Sequence, residues 1–333
     1  MNTDTALVIT SIAGPENAVL LEYAAGCRER GITFIVIGDV PSPKDFNLEG
    51  CDFYGLEAQK DLPYAIAGLL PLKHYARKNL GYLLARSQGK KVIIETDDDN
   101  FPREAFWAQR NDRPAAHSIS DSGWVNVYRY FTKAHIWPRG LPLDRIMDAQ
   151  PVTVGPAKEM HCPIQQGLAD ENPDVDAVYR LTCPLPVSFE IETQLALGRE
   201  AWSPFNSQNT TWFEEAFPLL YLPSYCSFRM TDIWRSFVAQ RIAWENGWSI
   251  FYHAPTVWQE RNAHNLMRDF ADEVPGYLHN EGICKHLSGL TLEPGKEKLT
   301  ANLLECYVAL TDGGYIDKKE MPLVEAWVRD VEG

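Results

Sequence analysis

The sequence predicts an α/β fold of the Rossmann-like type, with a mostly parallel central sheet, helices on both faces and a helical C-terminal extension. Short apolar, β-branched runs alternate with helix-length segments over the first 100 residues, and this alternation indicates βαβ units in a parallel, doubly wound sheet. Three consecutive aspartates, Asp97, Asp98 and Asp99, directly follow one of the buried runs. Ligands bind beyond the carboxyl ends of the strands in such sheets, so a site is expected at these aspartates.

Each element of the N-terminal half has its own signal in the sequence. The strands are short apolar runs, and the helices carry apolar residues at helical spacing, with Gly31 and Gly89 as stop signals. The predicted strands are 6–13, 32–37 and 91–96, and the predicted helices are 16–30 and 75–88. Because parallel strands end at one edge of the sheet, we expect Ser11, Asp39 and the three aspartates to lie there together.

The second half is less regular. Residues 101–210 are rich in Pro, Asp, Asn and aromatic residues with weak periodicity, which indicates long excursions over the sheet that could hold an acceptor. Beyond them we predict a helix from residue 211, a strand over 218–222, a helix over 231–246, a strand over 248–253 and helices after 290. The predicted division is a domain over 1–290, with an N-terminal half (1–100) and a second half (101–290), followed by the helical extension over 291–333.

Composition excludes several classes of function. Lys and Arg total 31 against 45 Asp and Glu, and the net charge of -14 would repel a nucleic-acid backbone. The seven cysteines form no C-x-x-C pair, which favours a reducing compartment. No basic signal region and no run of about 18 apolar residues is present. We therefore expect a cytoplasmic protein without an integral membrane segment and without a nucleic-acid partner; an oligomer is compatible with the sequence.

The aspartate run predicts a metal site. Three like charges at the end of a buried strand are costly unless a cation or hydrogen-bond donors compensate them. Mg²⁺ or Mn²⁺ bound by Asp97 and Asp99 would also neutralise a departing nucleoside diphosphate, with Asp98 beside the donor. The alternative is a solvated, Asp-rich turn, which is common after strands.

The residues before the aspartates carry a family resemblance. Residues 76–81, Gly89 and the apolar run 92–94 resemble the nucleotide-sugar-binding signature of inverting GT-A glycosyltransferases, in which a basic helix precedes the aspartates. This resemblance implies that Arg77 and Lys78 face the donor and that Asp39 contacts uridine or an equivalent nucleoside. A solvated helix face is the alternative for the basic pair.

A longer resemblance covers nearly the whole chain. Motifs in the same order are similar to those of the STELLO family of plant Golgi glycosyltransferase-like proteins. They are Pro43-Lys44-Asp45, Ile136 to Pro142, Gln165-Gln166-Gly167, Pro173 to Asp176, Pro204 to Asn209, Asp232 with Trp234, and Gln240-Arg241. The resemblance implies a nucleoside-diphosphate sugar, preferably a UDP-sugar, as donor, a glycan or glycolipid acceptor, and Lys44 and Arg139 near the donor. The family's N-terminal membrane anchor has no counterpart here, so Golgi residence does not carry over.

Three further candidates have a structural alternative each. Asp232 matches the acidic position before a helix in GT-A enzymes, where it would take the proton of the acceptor hydroxyl, or it caps that helix. Arg139 suits a diphosphate bidentately, or it pairs with a carboxylate such as Asp144. His253, or His264, would complete the metal site, although a histidine near a strand end is more often structural and imidazole is not the preferred ligand of a hard cation.

Two rival functions remain open at this stage. A weaker resemblance to plant UDP-arabinose mutases, through the aspartates and an Arg-Gly-x-Pro sequence at residues 139–142, implies a UDP-sugar mutase, which needs no acceptor. These mutases show Trp-His where this chain has Trp258-Gln259. A catalytically silent scaffold of the same fold in polysaccharide assembly is the second rival, and the intact aspartate run argues against it.

Overall fold

The computed structural model describes residues 2–151, 156–260 and 265–333, and its N-terminal part alternates strands and helices as predicted. The first strand ends earlier than expected, at Thr10, and the remaining bounds agree within a few residues. The elements up to the aspartates are β1 (Thr5–Thr10), α1 (Ala18–Arg30), β2 (Thr33–Ile37), β3 (Asp52–Tyr54), α2 (Leu56–Lys60), α3 (Lys78–Ser87) and β4 (Val92–Thr96).

The remainder of the chain adds strands to the same sheet and helices at its end. The strands are β5 (Asn100–Pro102), β6 (Ala115–Ile119), β7 (Gly123–Trp124), β8 (Lys158–Glu159), β9 (Ile164–Asp170), β10 (Gln194–Leu197), β11 (Ala201–Trp202), β12 (Asn209–Phe213) and β13 (Ile250–Gln259). The helices are α4 (Ala177–Thr182), α5 (Thr231–Glu245), α6 (Leu266–Ser288), α7 (Leu299–Asp312) and α8 (Met321–Glu332). Among the described residues, no helix is long and apolar enough to cross a membrane.

The main sheet has eleven strands, ten of them in the order β3-β2-β1-β4-β12-β9-β13-β10-β6-β8, with β5 paired to β13. The first four strands are parallel, and β13 is parallel to β9. β12 is antiparallel to both β4 and β9, so it alone opposes the direction of the first seven strands in this order. The predicted mostly parallel central sheet is confirmed, and the predicted helical C-terminal part is present.

Two hydrophobic layers lie on opposite faces of the sheet. In β1, Leu7 and Ile9 pack with α1, whereas Ala6 and Val8 belong to the core that contains α3, α5 and the C-terminal helices. This alternation follows from the pleat, which sends successive side chains to opposite faces. Because both faces are covered, β1 is apolar almost throughout, as expected of a buried parallel strand.

We expect Gly81→Ala to destabilise the fold, because α3 packs on the sheet at Gly81 without room for a side chain. A Cβ there would lie 2.4 Å from Val8 Cγ1 and 3.2 Å from Ile37 Cγ1. Moving the helix outward should lower the free energy of unfolding by about 1–3 kcal/mol, which outweighs the gain of up to about 1 kcal/mol in helix propensity.

Urea denaturation measures this loss of stability. The urea concentration at the midpoint of unfolding should fall, while the slope of the unfolding free energy against urea concentration stays the same. Gly68→Ala is the matched control, since no heavy atom lies within 4 Å of its added Cβ. A Gly81→Ala protein as stable as the wild type would contradict the packing argument.

The C-terminal helices share the main core. Leu303 and Trp327 are buried within the cluster that covers the α3 face, and Trp327 Nε1 donates to the Pro218 carbonyl at 2.9 Å. The Asp330 carboxylate accepts the backbone N–H groups of Ala65 and Ile66 at 2.7 and 2.9 Å. The extension is therefore packed against the rest of the fold, whereas the division at residues 290 and 291 stays a prediction.

The structure corrects two elements predicted after residue 210. The segment expected to begin a helix at 211 is β12, and the strand expected over 218–222 is largely a 3-10 segment, Glu214–Leu220. The Asn-Thr-Thr-Trp-Phe sequence of β12 is rich in residues that favour strands, and β4 and β9 offer it hydrogen-bonding partners on both sides. The strand predicted at 248–253 continues to Gln259, which brings its end to the aspartates.

Candidate active site

A cavity of about 610 Å³ opens at the carboxyl edge of the parallel strands. The loop after β4 places Asp97, Asp98 and Asp99 in its wall, and the first turn of α5 places Asp232 there. The antiparallel β12 begins at this edge, so Ser207 and Gln208 just before it also line the cavity. Fold topology thus brings the three aspartates and the predicted base to a single cavity.

Each of the three aspartates is held by a polar neighbour. Asp97 Oδ1 accepts from Lys78 Nζ at 3.0 Å, and Asp98 Oδ2 accepts from the hydroxyl of Ser11 at 2.5 Å. Asp99 Oδ2 accepts from Gln259 Nε2 at 3.0 Å. Sequence analysis noted Gln259 only as a departure from Trp-His, and β13 places it directly against Asp99.

The electrostatics at this loop suit a bound cation. Burial raises the pKa of Asp97 although the Lys78 ammonium opposes the shift, and burial likewise raises the pKa of Asp98 against the hydrogen bond from Ser11. A raised carboxyl pKa means that the negative charge is under-compensated by its surroundings. Clustered carboxylate oxygens that line a cavity are also the donors that Mg²⁺ and Mn²⁺ prefer. The residues present therefore fit a divalent cation.

The structure separates the two residues of the basic pair: Arg77 is part of the wall of a smaller cavity beside Asp39, whereas Lys78 lines neither cavity, contrary to the expectation that it faces the donor. Lys78 is fully buried, and its Nζ donates to the Thr96 carbonyl and to Asp97, both at 3.0 Å. Arg77 donates from Nε to Gln59 at 2.8 Å and from Nη1 to the Leu70 carbonyl at 3.0 Å. Lys78 is buried because α3 packs on β1 and β2 and against the 3-10 segment Glu214–Leu220. It influences the cavity of the aspartates through Asp97.

A second cavity, of about 360 Å³, adjoins the first and contains Asp39. The Asp39 carboxylate accepts the backbone N–H groups of Val40 at 2.7 Å and His74 at 3.0 Å. His74 and Tyr75 stack with ring centroids 5.6 Å apart and form part of the wall. Lys44 is exposed and lies outside the lining of both cavities. The structure thus places Asp39, but not Lys44, in the wall of a cavity beside the aspartates.

Arg139 lies between two carboxylates. Its Nε and Nη2 donate to Asp174 at 2.8 Å each, and its Nη1 and Nη2 donate to Asp232 at 3.1 and 3.0 Å. The remaining Nη1 hydrogen goes to the Arg229 carbonyl. All five N–H donors of the guanidinium are therefore engaged, so Arg139 orients Asp232 and is not free for a diphosphate. The structure corrects the expected donor contact to the carboxylate pairing named as the alternative.

Asp232 is almost fully buried and accepts several further hydrogen bonds. The donors are the backbone N–H of Ser207 at 3.2 Å, the hydroxyl of Tyr75 at 3.2 Å and the N–H of Ile233 at 3.0 Å. Burial raises its pKa, but the Arg139 charge and hydrogen bonds outweigh this effect and lower the pKa to about 2. Asp232 is therefore ionised at neutral pH. It lies in the first turn of α5, whose N-cap residue is Met230, so the capping role named as the alternative is not observed.

His253 is not brought to the aspartates. It lines a separate cavity of about 740 Å³ whose wall shares no residue with the first, and burial lowers its pKa to about 4. The physical reason is its position six residues before Gln259 on the same strand, a distance of roughly 20 Å at 3.3 Å per residue. His264, the other histidine considered, lies outside the described residues.

A buried ion pair beneath the site had no signal in the sequence. Glu95, two residues before Asp97, accepts from Arg235 Nη1 at 3.0 Å and Nη2 at 2.7 Å, and both side chains are buried. Arg235 lies on α5 one turn after Asp232. The pair therefore connects the strand that ends at the aspartates with the helix that carries Asp232. Tyr75 is likewise a site residue that the sequence analysis did not select, whereas Asp174 lies in the Pro173 to Asp176 motif.

The chain is similar in sequence to known proteins. The family model described as STELLO glycosyltransferases matches residues 229–333. Two Arabidopsis thaliana proteins, named probable glycosyltransferase STELLO2 and STELLO1, are 29% identical to this chain over 325 and 329 residues, and each alignment covers 91% of it. The chain spans only 42% and 41% of their lengths.

A solved structure, glucosyl-3-phosphoglycerate synthase of M. tuberculosis, aligns over 84% of this chain and 80% of its own, with a TM-score of 0.40 and 10% identity. The motif order predicted one family, and the matches to that family extend over both halves of the chain and its C-terminal helices. The resemblance is thus confirmed: this chain is similar to two proteins named probable glycosyltransferase STELLO2 and STELLO1 along 91% of its length.

Proposed function

We propose that this chain is a metal-dependent, inverting glycosyltransferase that moves a sugar from a nucleoside-diphosphate sugar to a hydroxyl of a glycan or glycolipid. The observation that carries the proposal is the common cavity of Asp97, Asp98, Asp99 and Asp232. A cation site for a leaving diphosphate and an ionised carboxylate for an attacking hydroxyl are the two requirements of a single displacement.

The two adjoining cavities suit the two ends of the donor. They share Thr10, Ile12, Tyr75, Asp98 and Phe228. A nucleoside, with UDP-sugars as the favoured class, would occupy the smaller cavity beside Asp39, and its diphosphate would extend to the aspartates. Mn²⁺ or Mg²⁺ held by Asp97 and Asp99 would supply charge neutralisation for the departing diphosphate. Lys78 and Ser11 hold the carboxylates of Asp97 and Asp98 in place.

Asp232 is the proposed base. With a pKa of about 2 it is ionised at every working pH, so it is always able to accept the proton of the acceptor hydroxyl. Arg139 and Ser207 fix the orientation of the Asp232 carboxylate. This lowers the entropic cost of aligning the base with the acceptor hydroxyl. The same ion pair lowers its basicity, so orientation rather than basicity is its main contribution.

A thermal-shift screen tests the proposal. Nucleotide sugars and nucleoside diphosphates are added with and without Mn²⁺, because a ligand that binds only the folded state raises the melting temperature. We expect a manganese-dependent shift with one donor class. Absence of a shift with every donor would favour a silent scaffold, and conversion of a donor incubated alone into its ring isomer would favour a mutase.

We expect Asp232→Asn to lower turnover by roughly 10²–10⁴-fold, the usual contribution of a placed general base, while the manganese-dependent donor shift persists. The pKa of Asp232 is about 2 in the folded protein and near 3.9 in the unfolded chain. Its ionised form therefore stabilises the fold fully at pH values above about 3.9, and this stabilisation is lost as the pH falls towards 2. Wild-type turnover should accordingly show no loss between pH 8 and 5 that is due to Asp232.

The measurement is an initial-rate assay with the identified donor, alongside its thermal shift. Asp144→Asn, at an exposed position away from the cavity, is the control and should retain full turnover. Equal turnover of Asp232→Asn and wild type would remove Asp232 from the chemistry.

A further inference from the structure

We propose that Asp112, His161 and Glu215 form a second divalent-metal site, suited to Zn²⁺, on the edge of the sheet opposite the donor cavity. One ligand atom of each residue lies within 4.8 Å of the other two. Within residues 2–151, 156–260 and 265–333, this is the one group of three or more His, Cys, Asp or Glu side chains that meets at such distances. The three aspartates of the donor cavity do not belong to it.

The strand register separates this cluster from the donor cavity. Asn209 of β12 is paired with Thr96 at the end of β4, whereas Phe213 is paired with Val92 at its beginning. Glu215 follows Phe213 and therefore lies at the amino edge of the parallel strands. The distance along β4 from Val92 to Thr96, four residue steps, is roughly 13 Å. The cluster therefore cannot share a cation with the aspartates.

The three side chains already face one another. His161 Nε2 lies 2.5 Å from Glu215 Oε1 and 3.7 Å from Asp112 Oδ2. The other oxygen of Glu215 is paired with the Lys296 ammonium, which leaves Oε1 directed at the imidazole. Trp248 packs edge-on against the His161 ring with centroids 5.9 Å apart and restricts its rotation. The Glu215 side chain is 14% exposed and that of Asp112 is 40% exposed, so the cluster opens to solvent beside Asp112.

Backbone hydrogen bonds hold the three segments together without a cation. The Asp112 carbonyl accepts from Cys162 N–H at 2.8 Å, and the His161 carbonyl accepts from Ser249 N–H at 3.0 Å. A ligand set held in advance loses little conformational entropy when it binds. Three protein ligands and one water give the four-coordinate geometry common for zinc. The imidazole nitrogen favours Zn²⁺ over Mg²⁺ and Mn²⁺, which prefer oxygen donors throughout.

The position of the cluster indicates that a bound metal ion would stabilise the fold. Its ligands come from the loop before β6, the segment before β9 and the residues after β12, and Lys296 adds the segment before α7. A zinc ion there would cross-link the base of strands whose other ends form the donor cavity. The competing explanation is a metal-free ion pair in which a protonated His161 contacts both carboxylates.

The experiment measures zinc in the Asp99→Asn background, which removes a carboxylate of the donor cavity. Purified chain is dialysed against Zn²⁺, and bound zinc and the melting temperature are recorded. We expect about one zinc per chain and a raised melting temperature, both lost on adding His161→Ala and retained on adding His279→Ala, a histidine on the exposed side of α6. Co²⁺ in place of Zn²⁺ should give visible absorption bands of four-coordinate cobalt that disappear with His161→Ala.

Asp112→Asn is the second variant, because its half-exposed side chain can change without loss of the fold. This variant should bind zinc more weakly than its parent protein. Without zinc, the two proteins should unfold at the same melting temperature. Zinc content at background level, or equal zinc content with and without His161→Ala, would overturn the proposal. None of these readouts uses a nucleotide sugar, so the result stands apart from the success or failure of the proposed transferase function.

Discussion

Asp99→Asn is expected to abolish the manganese-dependent thermal shift with the nucleotide-sugar donor and to lower turnover by roughly 10²–10³-fold, the loss found when one preorganised electrostatic contact to developing charge is removed. The substitution keeps the shape of the side chain and an oxygen for the hydrogen bond from Gln259, and it removes the negative charge that holds the cation. Asp144→Asn again serves as the control.

A substitution of Asp99 tests the metal site more clearly than a substitution of Asp97, because Asp97 is the partner of a buried charge. Lys78 is fully buried and is paired with Asp97, so Asp97→Ala would leave an uncompensated buried ammonium. Breaking a buried pair in this way costs about 3–5 kcal/mol, and lost binding could then reflect lost folding. A manganese-dependent shift that survives in Asp99→Asn, with Asp98→Asn unchanged as well, would refute the metal assignment.

Glu95→Gln should give the largest stability effect, a loss of about 3–5 kcal/mol in the free energy of unfolding. Glu95 is fully buried and accepts two hydrogen bonds from Arg235, one from Tyr82 and one from Trp212 Nε1 at 2.8 Å. A glutamine would turn an amide N–H₂ group towards one of these donors and leave the Arg235 charge without its counter-ion. Urea denaturation gives this difference in the free energy of unfolding directly, provided that the dependence of the free energy on urea concentration is the same for both proteins.

A matched control comes from a glutamate in an exposed pair. Glu214 contacts Lys91 at 2.5 Å, but its side chain is 58% exposed, so Glu214→Gln should change stability by less than about 1 kcal/mol. The double variant Glu95→Leu with Arg235→Met should recover much of the loss, since it removes both charges at once. A Glu95→Gln protein within about 1 kcal/mol of wild type would show that the buried pair does not hold β4 to α5.

The local pattern of the sequence was enough to predict the α/β class, the strands β1, β2, β4 and the first part of β13, the helices α1, α3 and α5, and the place of the aspartates. Apolar runs and helical spacing record which face of each segment is buried, and this information lies within ten or fifteen residues. β3 and the strands from β5 to β12 were missed for the same reason. Apart from β9 they have two to five residues, which carry too little periodicity, and the strand state of all of them depends on partners that are distant in the chain.

Tertiary structure alone decided what the site residues contact. Gln259 meets Asp99 because β13 continues past His253, and Arg139 is paired with Asp174 and Asp232 because its loop and α5 pack together. Glu95 and Arg235 are 140 positions apart, and no local pattern relates them. The sequence by itself determined which residues are apolar, charged or strand-forming. The order and register of the sheet determined which charges meet, because electrostatic and hydrogen-bond partners depend on distances of a few ångströms that long-range pairing sets.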